Sequence, residues 1–406
     1  MLAKLPNEIL EHIMFYCKGV DRHTIARCSK HLNTVMEPSI WRAVHITTNL
    51  LTKRWNDSLF NKFRHVKKME ISFSDVPRSR TGWYTFPRSK EFKRNLAMIL
   101  DNIQPSRLIE AVIEIYASTR SASSENFIQI MERLTSIKRL DLIALELTEK
   151  AWKSIPDGLV HLGLIGHSPR AFCNITDKAL KEILGRSQLE SFECELDLFQ
   201  KGLSEGSLHQ ISKVESITEL KIELYIPPPL SLYWITNLQN LRSLDLRGKI
   251  YPLEGQGFVS KICRNLQQLE ILTLAGLELG DQSFSEIHLL SNLTKLSIYK
   301  MASLFACHIF HSLKHVNTLH ELCFDGWTFP ELTLCYAEYM TDDRRDEICG
   351  DIAALNQLPN LRKIGVDCRD DFDISEMIVK GLCKEKKWIH QYEGHIHTFI
   401  NTLALI

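Results

Sequence analysis

One six-residue pattern recurs along this chain and limits what it can fold into: apolar, two variable residues, apolar, one variable residue, apolar. Ten copies are clear: VKKMEI (66–71), IKRLDL (137–142), LVHLGL (159–164), LESFEC (189–194), ITELKI (217–222), LRSLDL (241–246), LEILTL (269–274), LTKLSI (293–298), LHELCF (319–324) and LRKIGV (361–366). EAVIEI (110–115) is a weaker copy, and successive copies mostly start 22 to 30 residues apart. In an extended strand, alternate side chains face opposite sides. Leu244 and Leu246 therefore point together into a core, while Ser243, Asp245 and Arg247 point out of it. No single unit can bury its apolar side alone; stacked units bury all of them in one continuous core.

The segments between copies read as helices. QGFVSKICRNLQQL (256–269) puts Phe258, Ile262 and Leu266 on one stripe, and DKALKEILGRSQL (177–189) behaves alike, with Asp177 expected as its N-cap. Glycine stands two places beyond the last apolar strand residue at Gly166, Gly248, Gly276 and Gly326, where the chain must turn out of its strand. A period in the twenties, with one strand and one return segment per unit, resembles the leucine-rich repeats of large intracellular repeat proteins. The resemblance implies an α/β solenoid, a curved leucine-rich repeat array with parallel strands on the concave face and helices outside. The place three residues past the strand, often Asn or Cys in such repeats, here holds Lys249, Leu277, Met301 and Trp327.

The chain opens in a different rhythm. LPNEILEHIMFYC (5–17) is an amphipathic helix: Pro6 suits a first helical position, Glu8 favours the positive end of the helix dipole, and Ile9, Leu10, Ile13 and Cys17 form an apolar stripe. Asp21 is placed to cap a second helix carrying Ile25 and Cys28, and Ser39 to cap a third turn bearing Trp41. This segment resembles an F-box, through Leu5-Pro6, Glu8, Ile9-Leu10 and Ile13 at its start and Pro38-Ser39-Ile40-Trp41 at its end. The whole chain thus resembles an F-box and leucine-rich repeat protein, with a small three-helix F-box at 1–45 and about ten to twelve degenerate repeats at 46–406.

That resemblance implies a substrate-recognition subunit of a cullin–RING (SCF-type) ubiquitin ligase. Leu5, Pro6, Ile9, Leu10 and Ile13 would fill apolar hollows on the Skp-type adaptor, which links to the cullin, while the repeats hold a protein target. The alternative is an interaction scaffold that uses the repeats without a ligase. The expected target-binding positions are Glu193, Glu195, Glu219, Glu223, Asp245, Arg247, Tyr299, Asp325 and Trp327. Acidic residues outnumber basic ones along these outward positions, which suits a basic segment of the target. Two insertions break the period. VPRSRTGWYTFPRSKEFKRN (76–95) reads as a loop mixing basic and aromatic residues, suited to an acidic or phosphorylated peptide or to single-stranded nucleic acid. GWTFPELTLCYAEYMTDDRRDEICGD (326–351) reads as a partly ordered lid.

Composition excludes other classes. The 406 residues contain 49 Lys plus Arg and 49 Asp plus Glu, so no global charge draws the chain to nucleic acid or an anionic membrane. No run of about 18 apolar residues spans a membrane, and no secretory leader is expected. The 11 cysteines include no CxxC pair, and Cys194, Cys323 and Cys368 fall in or beside strands; reduced near-core thiols of a cytoplasmic or nuclear protein are expected. There is no P-loop, Rossmann or GxSxG motif. His390, His395 and His397 lack the companions of a zinc site, and His308, His311 and His315 suit a helix surface. Neither cofactor, metal nor enzymatic activity of its own is expected.

Overall fold

The computed structural model describes residues 10, 24–51, 55, 57–72, 90–104, 106–114, 120–143, 147–165, 175–196, 205–226, 232–250, 255–277, 279, 281–299, 306–325, 350, 352–367, 382, 388–393 and 396–401. The chain divides into two compact units, Met1–Leu189 and Glu190–Ile406.

In the first unit, α1 (Lys30–Ile40) belongs to the N-terminal helical segment. Ser29 caps it, its hydroxyl accepting from the Leu32 amide at 3.1 Å. Leu10, Ala26 and Leu32 form its small core, with Ile25, Val35 and Ile40 packed around them. Two expectations fail here. Pro38 and Ser39 lie inside α1, and Trp41 is its C-cap rather than part of a new turn, its amide donating to the Glu37 carbonyl at 3.0 Å. A proline in the last turn frees only one carbonyl, that of Thr34, which sits on an exposed residue.

Five parallel strands follow, paired in chain order: β1 (Ala43–Thr47), β2 (Lys68–Ser72), β3 (Glu110–Glu114), β4 (Arg139–Ile143) and β5 (His161–Ile165). The return segments include α2 (Lys90–Asn102), α3 (Arg120–Met131), α4 (Glu149–Lys153) and α5 (Asp177–Arg186). Thr176, not Asp177, caps α5, its hydroxyl accepting from the Ala179 amide at 3.2 Å. Asp177 instead lies in the first turn, where its charge faces the positive end of the helix. The helical segment is joined firmly to the first repeat. The Trp41 ring meets Phe63 edge-on at 5.5 Å, Trp55 stacks on Phe63 at 5.9 Å, and Lys62 bonds Glu37 at 2.7 Å.

The second unit repeats the scheme with seven parallel strands: β6 (Ser191–Leu196), β7 (Glu219–Ile226), β8 (Ser243–Ile250), β9 (Ile271–Leu277), β10 (Lys295–Tyr299), β11 (Glu321–Asp325) and β12 (Lys363–Asp367). Its described helices are α6 (Glu205–Ile211), α7 (Gly255–Asn265) and α8 (Ala306–Leu313). The unit ends in an antiparallel hairpin absent from the sequence reading. In it β13 (Trp388–Glu393) pairs with β14 (Ile396–Asn401), and β14 lies against β12.

The two final apolar positions of the pattern are the core. Leu140 and Leu142, Leu220 and Ile222, Leu244 and Leu246, Leu272 and Leu274, and Leu296 and Ile298 are all buried, each side chain contributing roughly 1.5–3 kcal/mol. A second regularity locks the register. The carbonyl just ahead of each strand accepts two amides from the next repeat: Glu190 from Thr218 and Glu219, Thr218 from Arg242 and Ser243, Arg242 from Glu270 and Ile271, and Glu270 from Thr294 and Lys295. The first unit does the same, with Lys67, Ile109 and Lys138 as acceptors. Of the thiols, Cys194 and Cys263 are buried, and burial pushes Cys263 up to about 12; Cys28, expected near a core, is exposed.

Candidate functional site

Two surfaces can carry function: the N-terminal helical segment, and the outward side of the strands. In the first, Leu10 is only 3% exposed and its side chain belongs to the segment's own core with Ala26 and Leu32. It was expected to face the adaptor; the structure assigns it to holding the helices together. Leu5, Pro6, Ile9 and Ile13 lie outside the described residues.

On the outward side of the first unit, charges neutralise one another from strand to strand. Lys68 bonds Glu110 at 2.6 Å, Arg139 lies 3.7 Å from Glu110 and 3.4 Å from Asp141, and His161 Nε2 lies 2.8 Å from Asp141 Oδ1. Asp141 and His161 are 7% and 6% exposed, buried although they sit on the outward side of β4 and β5. Burial alone would raise the Asp141 pKa, but the hydrogen bond and charge of His161, helped by Arg139, hold it below the usual carboxylate range. Room for that carboxylate exists because residue 163 is glycine: a Cβ there would strike Asp141 Oδ1.

The second unit holds the expected target-binding positions. Glu193 is bonded to Lys221, and Asp245 takes a two-pronged bond from Arg247 at 2.8 Å per contact. Lys295 and Glu321 pair at 3.1 Å. Glu223 and Tyr299 are half-buried, and Glu219 is exposed. Glu195 and Asp325 lie in β6 and β11, with side chains outside the described set, and Trp327 lies outside the described residues. Part of the excess of acid counted from sequence is thus neutralised within the sheet: Glu193 and Glu321 pair with lysines of neighbouring strands and Asp245 with an arginine of its own strand. Sequence reasoning missed this because the parallel register, which sets Lys221 beside Glu193, is not written in any one repeat.

The two insertions fare differently. Lys90, Lys93 and Arg94, expected in the basic–aromatic loop, belong instead to α2, whose Phe92 and Asn95 are buried. Residues 73–89 lie outside the described set, as does 326–351 apart from Gly350. Among the described residues no three His, Cys, Asp or Glu side chains are grouped to hold a metal, and no helix is long and apolar enough to cross a membrane. His311 is exposed in the last turn of α8 and His315 in the turn that follows it, and His390 stacks on Phe399 at 4.8 Å; His308 lies in α8 and His397 in β14, with side chains outside the described set, and His395 is outside it altogether.

A short helical segment lies ahead of stacked strand-and-return units. The F-box domain family matches residues 2–42. No curated protein matches the chain. Among solved structures, the chain is similar to an internalin (InlF) of Listeria monocytogenes at 10% identity and a TM-score of 0.39, over 89% of this chain and 92% of that one. It is also similar to a leucine-rich repeat protein of Leptospira interrogans at 13% identity and a TM-score of 0.34, over 84% of this chain and 89% of that one. Residues 2–42 thus match the F-box domain, an adaptor-binding module, and a stack of parallel strand-and-return units follows them.

Proposed function

We propose that this protein is the substrate-recognition subunit of an SCF-type cullin–RING ubiquitin ligase. The observation that carries the reading is the F-box match at residues 2–42, directly ahead of β1. In this reading the F-box ends near residue 42, the repeats begin with β1, and Leu5, Pro6, Ile9 and Ile13 meet a Skp-type adaptor. Leu10 supports them from behind, within the helical core. The outward strand positions from Glu193 to Asp325, with Trp327 beyond them, hold a protein target in the cytoplasm or nucleus.

The protein breaks and makes no bonds itself. It raises the effective concentration of a target lysine near the ubiquitin-loaded enzyme. A firm joint serves that task, because a loose tether dilutes the target over a larger volume. The Trp41–Phe63–Trp55 cluster and the Glu37–Lys62 bond supply such a joint between F-box and first repeat.

The test is co-purification of the Skp-type adaptor and cullin with the tagged full chain. Capture is expected, and the double variant Leu5→Ala with Pro6→Ala should reduce it at least tenfold while leaving the circular dichroism spectrum unchanged. Undiminished capture by that variant, or none by the wild type, would remove the ligase reading and leave an interaction scaffold.

A further inference from the structure

The outward side of the second unit has a row in which no position is buried, four being exposed and five half-buried: the first residue of each strand. Across the register this row reads Ser191, Glu219, Ser243, Ile271, Lys295, Glu321 and Lys363, then Ile400 of β14 and Ile389 of β13. Directly paired residues of a sheet share a face, so all nine point the same way. Lys295 and Glu321 satisfy each other. Glu219 and Lys363 have no charged or hydrogen-bonding side-chain partner among the described residues. Ile271 and Ile389 are 37% and 43% exposed, two of the four large apolar side chains left in solvent among the described residues.

The spacing is set by the sheet. Neighbouring strands lie ~4.8 Å apart, and an extended peptide advances ~3.3 Å per residue. From Glu219 to Ile271 is two strand steps, so ~10 Å or about three peptide residues. From Glu219 to Lys363 is five steps, so ~24 Å or about seven residues. From Lys363 to Ile389, across β14, is two more steps, so about three further residues.

We propose that this row binds an extended segment of the target with a basic residue first, an aliphatic one three places on, an acidic one seven places on and a second aliphatic one ten places on. The basic residue meets Glu219, the acidic one meets Lys363, and the aliphatic pair covers Ile271 and the Ile389–Ile400 step. The self-paired Lys295 and Glu321 are passed over without contributing to charge selection. The target segment thus carries charge of both signs rather than basic charge alone. It rests on the reading of the repeats as the target surface, but not on the adaptor.

The experiment uses the full chain, immobilised by a terminal tag and panned against a displayed library of random 12-residue peptides. Enriched peptides should carry the four features at those offsets, in either chain direction. The exposed double variant E219K/K363E should enrich the same aliphatic positions with the two charges exchanged. Synthetic peptides of the two kinds should each favour the matching protein by about tenfold, equivalent to about 1.4 kcal/mol. Failure to enrich any peptide, or charges that stay the same in the variant, would overturn the proposal. Adaptor capture is scored on the same preparation. Intact capture with a failed selection removes this inference alone, and lost capture with a successful selection removes the ligase reading alone.

Discussion

At the scale of single residues, two glycines mark where backbone and side chain come closest. Gly276, at the end of β9, has φ of 71°, and a Cβ on it would run into the Gly248 carbonyl oxygen of β8. Neither the oxygen, which is backbone, nor the left-handed φ can yield cheaply. Gly276→Ala is expected to destabilise the second unit by about 3 kcal/mol. By contrast Gly257→Ala, at an exposed position of helix α7 with nothing nearer than the Tyr233 hydroxyl at 3.9 Å, should stabilise it by about 0.5–1 kcal/mol. Urea midpoints of the two variants should move in opposite directions; a shift of the same sign would contradict the assignment. Gly163 makes the second close approach, beneath the Asp141 carboxylate. Because Asp141 has its pKa lowered on folding, it binds protons less readily in the native than in the unfolded chain. Its contribution is therefore complete above the usual carboxylate range and is lost as pH falls toward the lowered native value. Asp141→Ala should lose about 3 kcal/mol at pH 7, since it removes the buried carboxylate that His161 and Arg139 face. The gap between variant and wild type should narrow steadily below about pH 4. A gap that stayed constant down to pH 3 would show that the carboxylate charge is not what stabilises the site.

At the scale of elements, each strand is held to the next at its entrance as well as along its length. The carbonyl that accepts two amides is joined by asparagines in the tight turns: Asn240 donates to the Glu215 carbonyl at 2.9 Å, Asn292 to Gln267 at 3.1 Å and Asn360 to Asn317 at 2.8 Å. These asparagines each precede the first leucine of a copy, at Leu241, Leu293 and Leu361. The expected place for such a stitch, three residues past the strand, holds other residue types, so the stitch has moved to the other end of the strand. Each Asn→Ala change should destabilise by about 1 kcal/mol. Because the three turns are separate, the triple variant should lose close to the sum. Calorimetry or urea unfolding checks this, and a triple variant no weaker than one single would mean the turns do not carry the register. The recurring Asn-Leu pair was visible in the sequence; its role was not, because the acceptor lies a whole repeat upstream. The strands themselves were legible, since a core shared by every unit forces the same apolar spacing on each. β1 escaped notice although Trp41, Val44 and Ile46 follow the pattern, because Trp41 also closes the F-box. The cap of α5 was misplaced by one residue, as Thr176 and Asp177 are both good caps and only the backbone decides which side chain reaches the Ala179 amide.

At the scale of the whole molecule, a stack of parallel strands has an end wherever its period stops, and an open end invites pairing with another chain. In the second unit β14 takes the edge of β12 in the opposite sense, and β13 covers β14. Nothing in the sequence advertised this, because a two-strand hairpin needs no apolar-x-apolar pattern and shares no period with the repeats. The hairpin is tied to the body by Phe399, fully buried, and by Trp388, whose indole N–H donates to Asn356 Oδ1 at 2.6 Å. Removing residues 388–406 would uncover both the β12 edge and the apolar surfaces under those two rings. Burial of the rings alone amounts to about 5 kcal/mol, a large share of the stability of an ordinary domain. The truncated chain is expected to lose cooperative unfolding of the second unit and to self-associate in a concentration-dependent way. Capture of the adaptor should persist, because the helical core of Leu10, Ala26 and Leu32 and its joint to Phe63 lie within the first unit. Analytical ultracentrifugation and adaptor capture, run on one preparation, separate these outcomes. A truncated chain that stayed monomeric with an unchanged melting curve would mean that the hairpin is not the cap of the array.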